Sequence, residues 1–304
     1  MPTAPIQIAA GPETRTAAVR WMNVGHALLL RGDATALEGA LDAYREAVAL
    51  LCHGPTDTDA AWANSLGAAL LNHAQLLVQV RGASAADAAL RDLDAAEAVL
   101  ASHLAGGHAW VRRNLAGVRI NRATLRLCAG QPEAARADAE AALSLVAAGE
   151  REDPNDAELS LKARRAACSA LGLLLPGFAA SQQDEVARRA SDLVDEAVAL
   201  VAYWKARRVD RLSAVALRLI RFGAELYRRH QPHFLVEFLR EAADAVSPAD
   251  ATEMGAIMRA SLDGALTDSA RTGWYALGDP ATEQALATRR EISAALGLHP
   301  HFSG

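Results

Sequence analysis

The sequence has little of what small secreted domains are usually built on. Its 304 residues include only 5% aromatic residues and three cysteines. An odd number of widely spaced cysteines suits neither a disulfide framework nor a zinc site. We therefore expect Cys52, Cys128 and Cys168 to be small buried hydrophobic residues in a reducing cytosol.

Catalytic and metal-binding motifs are also missing. The sequence contains no HExxH, paired CxxC, Walker or GxSxG motif, and no aspartate-rich motif for a diphosphate. Its nine histidines are dispersed, and neither close pair has a third ligand nearby: His230 with His233, and His299 with His301. The sequence therefore predicts a protein that is not an enzyme and has no cofactor or metal. An enzyme of an unfamiliar helical type is the weakest alternative.

Neither the net charge nor the hydropathy of the sequence indicates binding to nucleic acid or to a membrane. The formal net charge is −5, so nothing in the charge favours nucleic acid or an anionic lipid surface. No apolar run reaches the ~18 residues of a membrane span, and residues 1–16 lack the features of a secretory signal. We expect a cytoplasmic protein. Only Lys162 and Lys205 are lysines among 31 basic residues, which we interpret as bacterial-type, GC-rich coding.

What the sequence does contain is an internal repeat of about 49 residues, built mainly from the helix-favouring residues alanine and leucine with valine. Asn23, Asn72 and Asn121 lie at equal intervals, with a small residue two positions later and a glycine nine or ten positions later. An alanine-rich segment follows each glycine, with residues spaced by four and then three so that they share one helical face: Ala40, Tyr44, Ala47; Ala89, Leu93, Ala96; Ala135, Ala139, Ala142. Each repeat therefore predicts a helix, a glycine-capped turn and a second helix.

The repeat continues more loosely along the chain. Positions 168, 221 and 269 are equivalent to the three asparagines, and the turns that follow them are predicted at Gly177, at residues 230–232 and at residues 278–280. Six helical hairpins then account for nearly the whole chain.

The third repeat resembles the tetratricopeptide repeat family. The residues that match are Ala123 to Leu127, Gly130 to Glu133, Ala134, Ala139 and Ala142; the first repeat matches through Trp21, Val24, Gly25 and Leu28. The period exceeds the family's usual 34 residues, which helices of ~20 residues, about 30 Å long, would explain. The resemblance implies an all-α fold, a right-handed superhelix of about six antiparallel helix hairpins. We expect a flexible segment over residues 1–13, a solenoid over 14–297 with a soft break near 149–156, and a tail over 298–304.

Polar residues on the first helices are the candidate binding site. Asn64, Asn72, Gln75 and Gln79 share one face of the second repeat's first helix, and equivalent faces carry Asn23, His26, Arg113, Asn121 and Thr124. In the family resembled, an asparagine at this position often holds the backbone of an extended partner segment, and a carboxamide can pair with both N–H and C=O groups. Two alternatives remain: hydrogen bonding between repeats, and coincidence.

Arginines occupy the corresponding faces further along. Arg164, Arg221 and Arg228, with Arg113, would make one end of the groove basic and suited to carboxylates, unless they form a solvated face paired with acidic residues. The sequence thus predicts a scaffold or adaptor that binds a protein or peptide in a concave groove. The alternative is a structural protein that self-associates or decorates a larger assembly. The oligomeric state stays open.

Overall fold

The fold is all-α. The computed structural model describes residues 11–272, apart from the side chains of residues 180, 181 and 266–272. Within this range the chain forms helices and no strands: α1 Pro12–Arg31, α2 Ala34–Leu51, α3 Ala60–Arg81, α4 Ala86–Ala101, α5 Ala109–Cys128, α6 Pro132–Val146, α7 Pro154–Leu174, α8 Ala180–Lys205, α9 Arg211–His230, α10 Leu235–Ala245 and α11 Ala251–Thr272. None of these helices is both long enough and apolar enough to cross a membrane.

The chain consists of two compact units, residues 1–146 and 147–304. In the first unit α1/α2, α3/α4 and α5/α6 pack as successive hairpins, and α3 also packs against α1 and α5. In the second unit α9 packs against α7, α8, α10 and α11. The boundary lies three residues before the predicted soft break at 149–156, and the expectation of one solenoid over 14–297 remains an expectation.

The predicted repeat is confirmed in the first unit. All nine residues assigned to the inward faces of α2, α4 and α6 have no solvent exposure. A glycine with a positive φ follows each first helix within two residues of its end, 71° at Gly32, 69° at Gly82 and 70° at Gly130, a conformation that residues with a side chain seldom adopt. The local pattern of apolar spacing and glycine therefore defines these hairpins.

Glycines on the first helices let large side chains of the second helices approach closely. A Cβ at Gly67 of α3 would lie 2.6 Å from Cγ of Leu100 in α4, and a Cβ at Gly25 of α1 would lie 2.9 Å from the Tyr44 ring of α2. Both partners are fully buried. These close approaches fix how α1 and α3 sit on their own second helices, and hence which face each first helix leaves exposed.

The structure corrects several expectations. Cys52 and Cys128 are exposed and only Cys168 is buried, because the first two lie at helix ends, where the inward face stops. Burial raises the pKa of the Cys168 thiol to about 12. Within the predicted soft break at 149–156, Pro154 begins α7, with Asp153 as its N-cap.

Two predicted turns of the second unit lie where they were expected: Gly177 lies between α7 and α8, and residues 230–232 lie at the end of α9 and before α10. Gly177 differs from the glycines of the first unit in that it does not have a positive φ. Helix α1 already begins at Pro12, so residues 12 and 13 belong to it and not to a flexible segment. The remainder of that segment, the turn at 278–280, the tail at 298–304 and the pair His299 and His301 lie outside the described residues.

Candidate functional site

The first helices of the first unit pack side by side, since α3 contacts both α1 and α5, and they carry the recurring asparagines. Asn23 on α1 is exposed, while Asn72 on α3 and Asn121 on α5 are half-buried. None of the three is therefore sealed inside the core. We call the surface formed by Asn23, His26, Asn72, Gln75, Gln79, Asn121 and Thr124 the first-helix face.

Asn72 and His26 meet where α1 contacts α3. The Asn72 Nδ2 atom lies 3.5 Å from His26 Nε2, which is the long limit of a hydrogen bond. The His26 ring meets the edge of the Tyr44 ring at a centroid distance of 5.7 Å. The Tyr44 hydroxyl is buried and has no hydrogen-bond partner in the described part of the chain, and burial raises its pKa to about 12. Asn72 and His26 thus form a polar contact between α1 and α3, whereas the Tyr44 hydroxyl lies in the core and is not accessible to a partner.

The other carboxamides of the face differ in how far they are already engaged. Asn114 on α5 donates a 2.8 Å hydrogen bond to Asn64 Oδ1 on α3, so Asn64 bonds between repeats, which is the alternative to groove lining. Gln75 and Gln79 are exposed. Within residues 11–272, no side chain or backbone group bonds to the carboxamides of these two glutamines, of Asn23 or of Asn121. These four can offer donors and acceptors to a partner.

The remaining predicted residues of the first unit lie on α5. Arg113 is half-buried, and Thr124 is exposed. The Thr124 hydroxyl donates to the Ile120 carbonyl oxygen at 3.0 Å, a bond within its own helix that leaves its oxygen able to accept.

The prediction that Arg164 lines the basic end of the groove was wrong, because Arg164 does not lie on an exposed face. It is only 4% exposed, and its guanidinium donates to Glu150 Oε2 at 2.8 Å and to Glu196 Oε2 at 3.1 Å. A buried guanidinium held by two carboxylates ties helices together and is not available to a ligand. The prediction for Arg164 was wrong because the repeat is loose in this part of the chain, so the exposed face of the helix was assigned incorrectly.

Arg221 and Arg228 are both engaged by acidic neighbours. Arg221 pairs with Glu253 at 3.2 Å, and Arg228 donates to Glu225 Oε1 at 2.6 Å. Both pairs lie within the second unit. The side chain of Arg221 is 64% exposed and fits the alternative of a solvated face paired with acidic residues, whereas that of Arg228 is only 15% exposed and does not lie on a solvated face.

Sequence reasoning missed a buried ion-pair cluster that joins α4, α5 and α6. Arg122 binds Asp138 through two hydrogen bonds, 2.9 Å from Nε and 2.6 Å from Nη2, and donates to Asp94 at 2.8 Å. Arg126 donates to the same Asp138 at 2.7 Å. Arg122 and Asp138 are 8% and 5% exposed. The signal in the sequence was the spacing of arginines at 119, 122 and 126, which lie on one side of α5.

A pocket in the second unit was also missed. It has a volume of about 540 Å³ and is formed by α8, the end of α9, and α10 with the turn before it. The Tyr227 hydroxyl donates a 2.6 Å hydrogen bond to Asp195 Oδ2, and the Tyr227 ring stacks on Phe238 with centroids 4.7 Å apart. The sequence shows acidic pairs at 192/195 and 237/241, but only the fold brings α8 and α10 together.

No protein-family model matches the sequence, and no curated protein matches it. Among solved structures, similarity extends to a de novo designed helical repeat protein (20% identity over 72% of this chain and 97% of that chain, TM-score 0.29). The nuclear import adaptor Nro1 of S. pombe is similar at 10% identity over 92% of this chain and 99% of that chain, with a TM-score of 0.35. A circular tandem repeat protein with a novel repeat topology is similar at 15% identity over 93% of this chain and 72% of that chain, with a TM-score of 0.32. At such TM-scores these similarities assign neither a family nor a function, and the helical-repeat architecture stands on the hairpins of the chain itself.

Proposed function

We propose that this chain is a non-catalytic interaction scaffold that binds an extended segment of a partner protein on the first-helix face. The observation that carries the proposal is that asparagines recur at one position on three helices packed side by side, and all three are at least partly exposed. The carboxamides of Asn23 and Asn121 have no hydrogen bond within the described residues. We interpret the hairpins as long-helix repeats of the tetratricopeptide type.

The spacing of helices and peptide supports this mode of binding. Neighbouring packed helices lie about 10 Å apart, and an extended peptide advances ~3.3 Å per residue. Carboxamides on successive first helices would therefore meet the backbone of the peptide at about every third residue. Each hydrogen bond is worth only ~0.5–1.5 kcal/mol net, so the asparagines would fix the direction of the peptide, and selectivity would come from its side chains.

Replacing Asn23, Asn72 and Asn121 together by alanine is expected to weaken partner capture at least about ten-fold, because three bonds of this size are lost together. The circular dichroism spectrum should not change, since none of the three side chains is buried. The measurement is quantitative affinity capture from the native lysate with mass spectrometry.

A matched control is the triple variant Gln131→Ala, Asn155→Ala and Gln182→Ala, which removes three exposed carboxamides from outside the face. It should retain the same partner at the wild-type level. If both triple variants capture that partner as well as the wild type, the first-helix face is not the binding surface.

A second candidate function is self-association, which exposed apolar residues on α1 favour. Trp21 and Val24 are 42% and 43% exposed and lie one helical turn apart. If this side of α1 is a homotypic contact, light scattering over a concentration series should show dimers that Trp21→Ser removes. Leu30→Ser is the control, because Leu30 is 90% exposed and lies on the opposite side of α1 from Trp21. A strict monomer at all concentrations would contradict self-association.

A further inference from the structure

The pocket of the second unit has a strong excess of negative charge. Four carboxylates line it, from Asp192, Asp195, Glu237 and Glu241, against the guanidinium of Arg188 and the imidazole of His233. Arg188 itself is paired at 2.5 Å with Glu185, which does not line the pocket. Within the described residues, none of the four lining carboxylates takes part in an ion pair. Arg188 and His233 are the basic residues of the lining, and neither of them is ion-paired with any of the four carboxylates within the described residues.

Asp195 is exposed, like the other three carboxylates, but its side chain is held in place by Tyr227. Its carboxylate accepts the 2.6 Å hydrogen bond from Tyr227, whose side chain is 94% buried, being 6% exposed. Partial burial of the Asp195 carboxyl group, together with repulsion from Glu241, Asp192 and Glu196, raises its pKa in spite of the bond from Tyr227. A cation between these carboxylates would relieve the repulsion.

The geometry favours an organic cation over a metal ion. Within the part of the chain that the structure describes, no three histidine, cysteine or acidic side chains converge as metal ligands would. The cavity, at about 540 Å³, is large enough for a side chain. Its lining is also aromatic: Tyr227 and Phe238 stack on each other, and Phe234, whose ring contacts that of His233 at a centroid distance of 4.1 Å, is still 47% exposed.

A guanidinium group fits both features of this lining. It is planar, it donates two parallel hydrogen bonds to one carboxylate, and it stacks on aromatic rings. An alkylammonium group would gain the charge attraction, but it could not donate two parallel hydrogen bonds to one carboxylate or stack on an aromatic ring as a planar group. Phe234 and Glu237 are exposed at the edge of the pocket, so a chain carrying the guanidinium can continue outwards into solvent.

We propose that this pocket binds the guanidinium group of an arginine side chain presented by a partner protein. Asp195 accepts the two guanidinium hydrogen bonds, Glu241 and Asp192 complement the charge, and Phe234 stacks on the plane. The site belongs to the second unit and is independent of the first-helix face.

The test uses the full chain, labelled with ¹⁵N, and three blocked tripeptides, acetyl-Gly-X-Gly-amide with X as arginine, lysine or citrulline. Citrulline has the shape of arginine without its charge. The arginine peptide should shift the backbone resonances of Ser191 and Tyr227 saturably, with an affinity at least five-fold higher than that of the lysine or citrulline peptide. Equal affinities for arginine and lysine would overturn the assignment to guanidinium, and equal affinities for arginine and citrulline would overturn the site.

Matched variants locate the binding. Asp195→Asn with Glu241→Gln should reduce affinity for the arginine peptide at least ten-fold. Asp184→Asn with Asp244→Asn removes two exposed acidic residues from α8 and α10 outside the pocket, changes the net charge equally, and should leave affinity within two-fold. Equal losses in both pairs would mean that general charge attraction, and not the pocket, holds the peptide. The comparison of the three peptides on the wild-type chain holds even if a variant fails to fold.

Discussion

Replacing Arg122 by methionine is expected to lower the free energy of unfolding by about 3 kcal/mol. The substitution removes the guanidinium that donates two hydrogen bonds to the Asp138 carboxylate, which is 5% exposed. A buried charge that loses its partner costs ~3–5 kcal/mol. We expect the lower end of that range because Arg126 still donates to Asp138 at 2.7 Å. Denaturant unfolding at pH 7, followed by circular dichroism, measures the change.

Two controls separate this pair from ordinary surface charges. Arg136→Met removes an arginine whose contact with Glu140 is 3.7 Å long and solvent-exposed, so it should cost no more than ~1 kcal/mol. The double variant Arg122→Met with Asp138→Leu replaces both buried charges by apolar groups and should recover most of the loss. Equal destabilisation by Arg122→Met and Arg136→Met would show that the cluster does not hold α4, α5 and α6 together.

The cost of Arg122→Met should also depend on pH. Burial of Glu97 raises its pKa, but hydrogen bonds from Arg119 and Arg122 outweigh this and hold the pKa below its ordinary value of 4.5. An acid with a lowered pKa in the folded state stabilises that state above its unfolded pKa, and this contribution is lost as the pH falls. The difference in free energy of unfolding between the wild type and Arg122→Met should therefore be largest at pH 7 and should become smaller below about pH 4.5.

Truncating Leu100 to alanine is the second large effect, with an expected loss of about 3–5 kcal/mol. Leu100 has no solvent exposure, and deleting a fully buried leucine side chain costs ~2–5 kcal/mol through lost burial and the cavity left behind. We expect the upper part of the range because Gly67, which has no side chain to fill the space, faces it. Denaturant unfolding measures the loss.

The close approach to Gly67 makes these two positions interdependent. Gly67→Ala alone should destabilise, since its Cβ would lie 2.6–2.8 Å from three Leu100 atoms and overpacking costs ~1–3 kcal/mol. In the Leu100→Ala background the same Cβ enters the cavity, so the double variant should be more stable than the sum of the two single changes predicts. Gly117→Ala is the control, because its Cβ would meet only the end of the Leu71 side chain at 3.2 Å. Strict additivity at 67 and 100 would contradict the packing described.

The hairpins of the first unit could be predicted because their information is local. Alanine, leucine and tyrosine recur at helical spacing on the second helices, and a glycine follows each first helix, so the buried faces and the turns both follow from neighbours in sequence. Where the repeat becomes loose the same reasoning fails: Arg164 was assigned to an exposed face but lies buried between Glu150 and Glu196.

Partnerships between distant residues could not be predicted. Asn64 was correctly placed on a first helix, but its bond to Asn114 depends on how α5 is set beside α3. The acidic pocket requires α8 and α10 to lie side by side, because Asp195 and Glu237 are distant in sequence and share a pocket only in the folded chain. Cys52 and Cys128 follow the apolar pattern up to the helix ends, where burial stops.

Site-directed photo-cross-linking tests the central claim most directly, because the cross-link captures any partner bound at the chosen position. The variants Gln75→p-benzoylphenylalanine and Gln131→p-benzoylphenylalanine place the same reactive group on the first-helix face and outside it, at two exposed positions. Irradiation in the native lysate should join a partner to the chain from position 75, less so when Asn23, Asn72 and Asn121 are alanine, and not from position 131. A partner joined equally from both positions, or from position 75 regardless of the asparagines, would contradict peptide binding by these carboxamides.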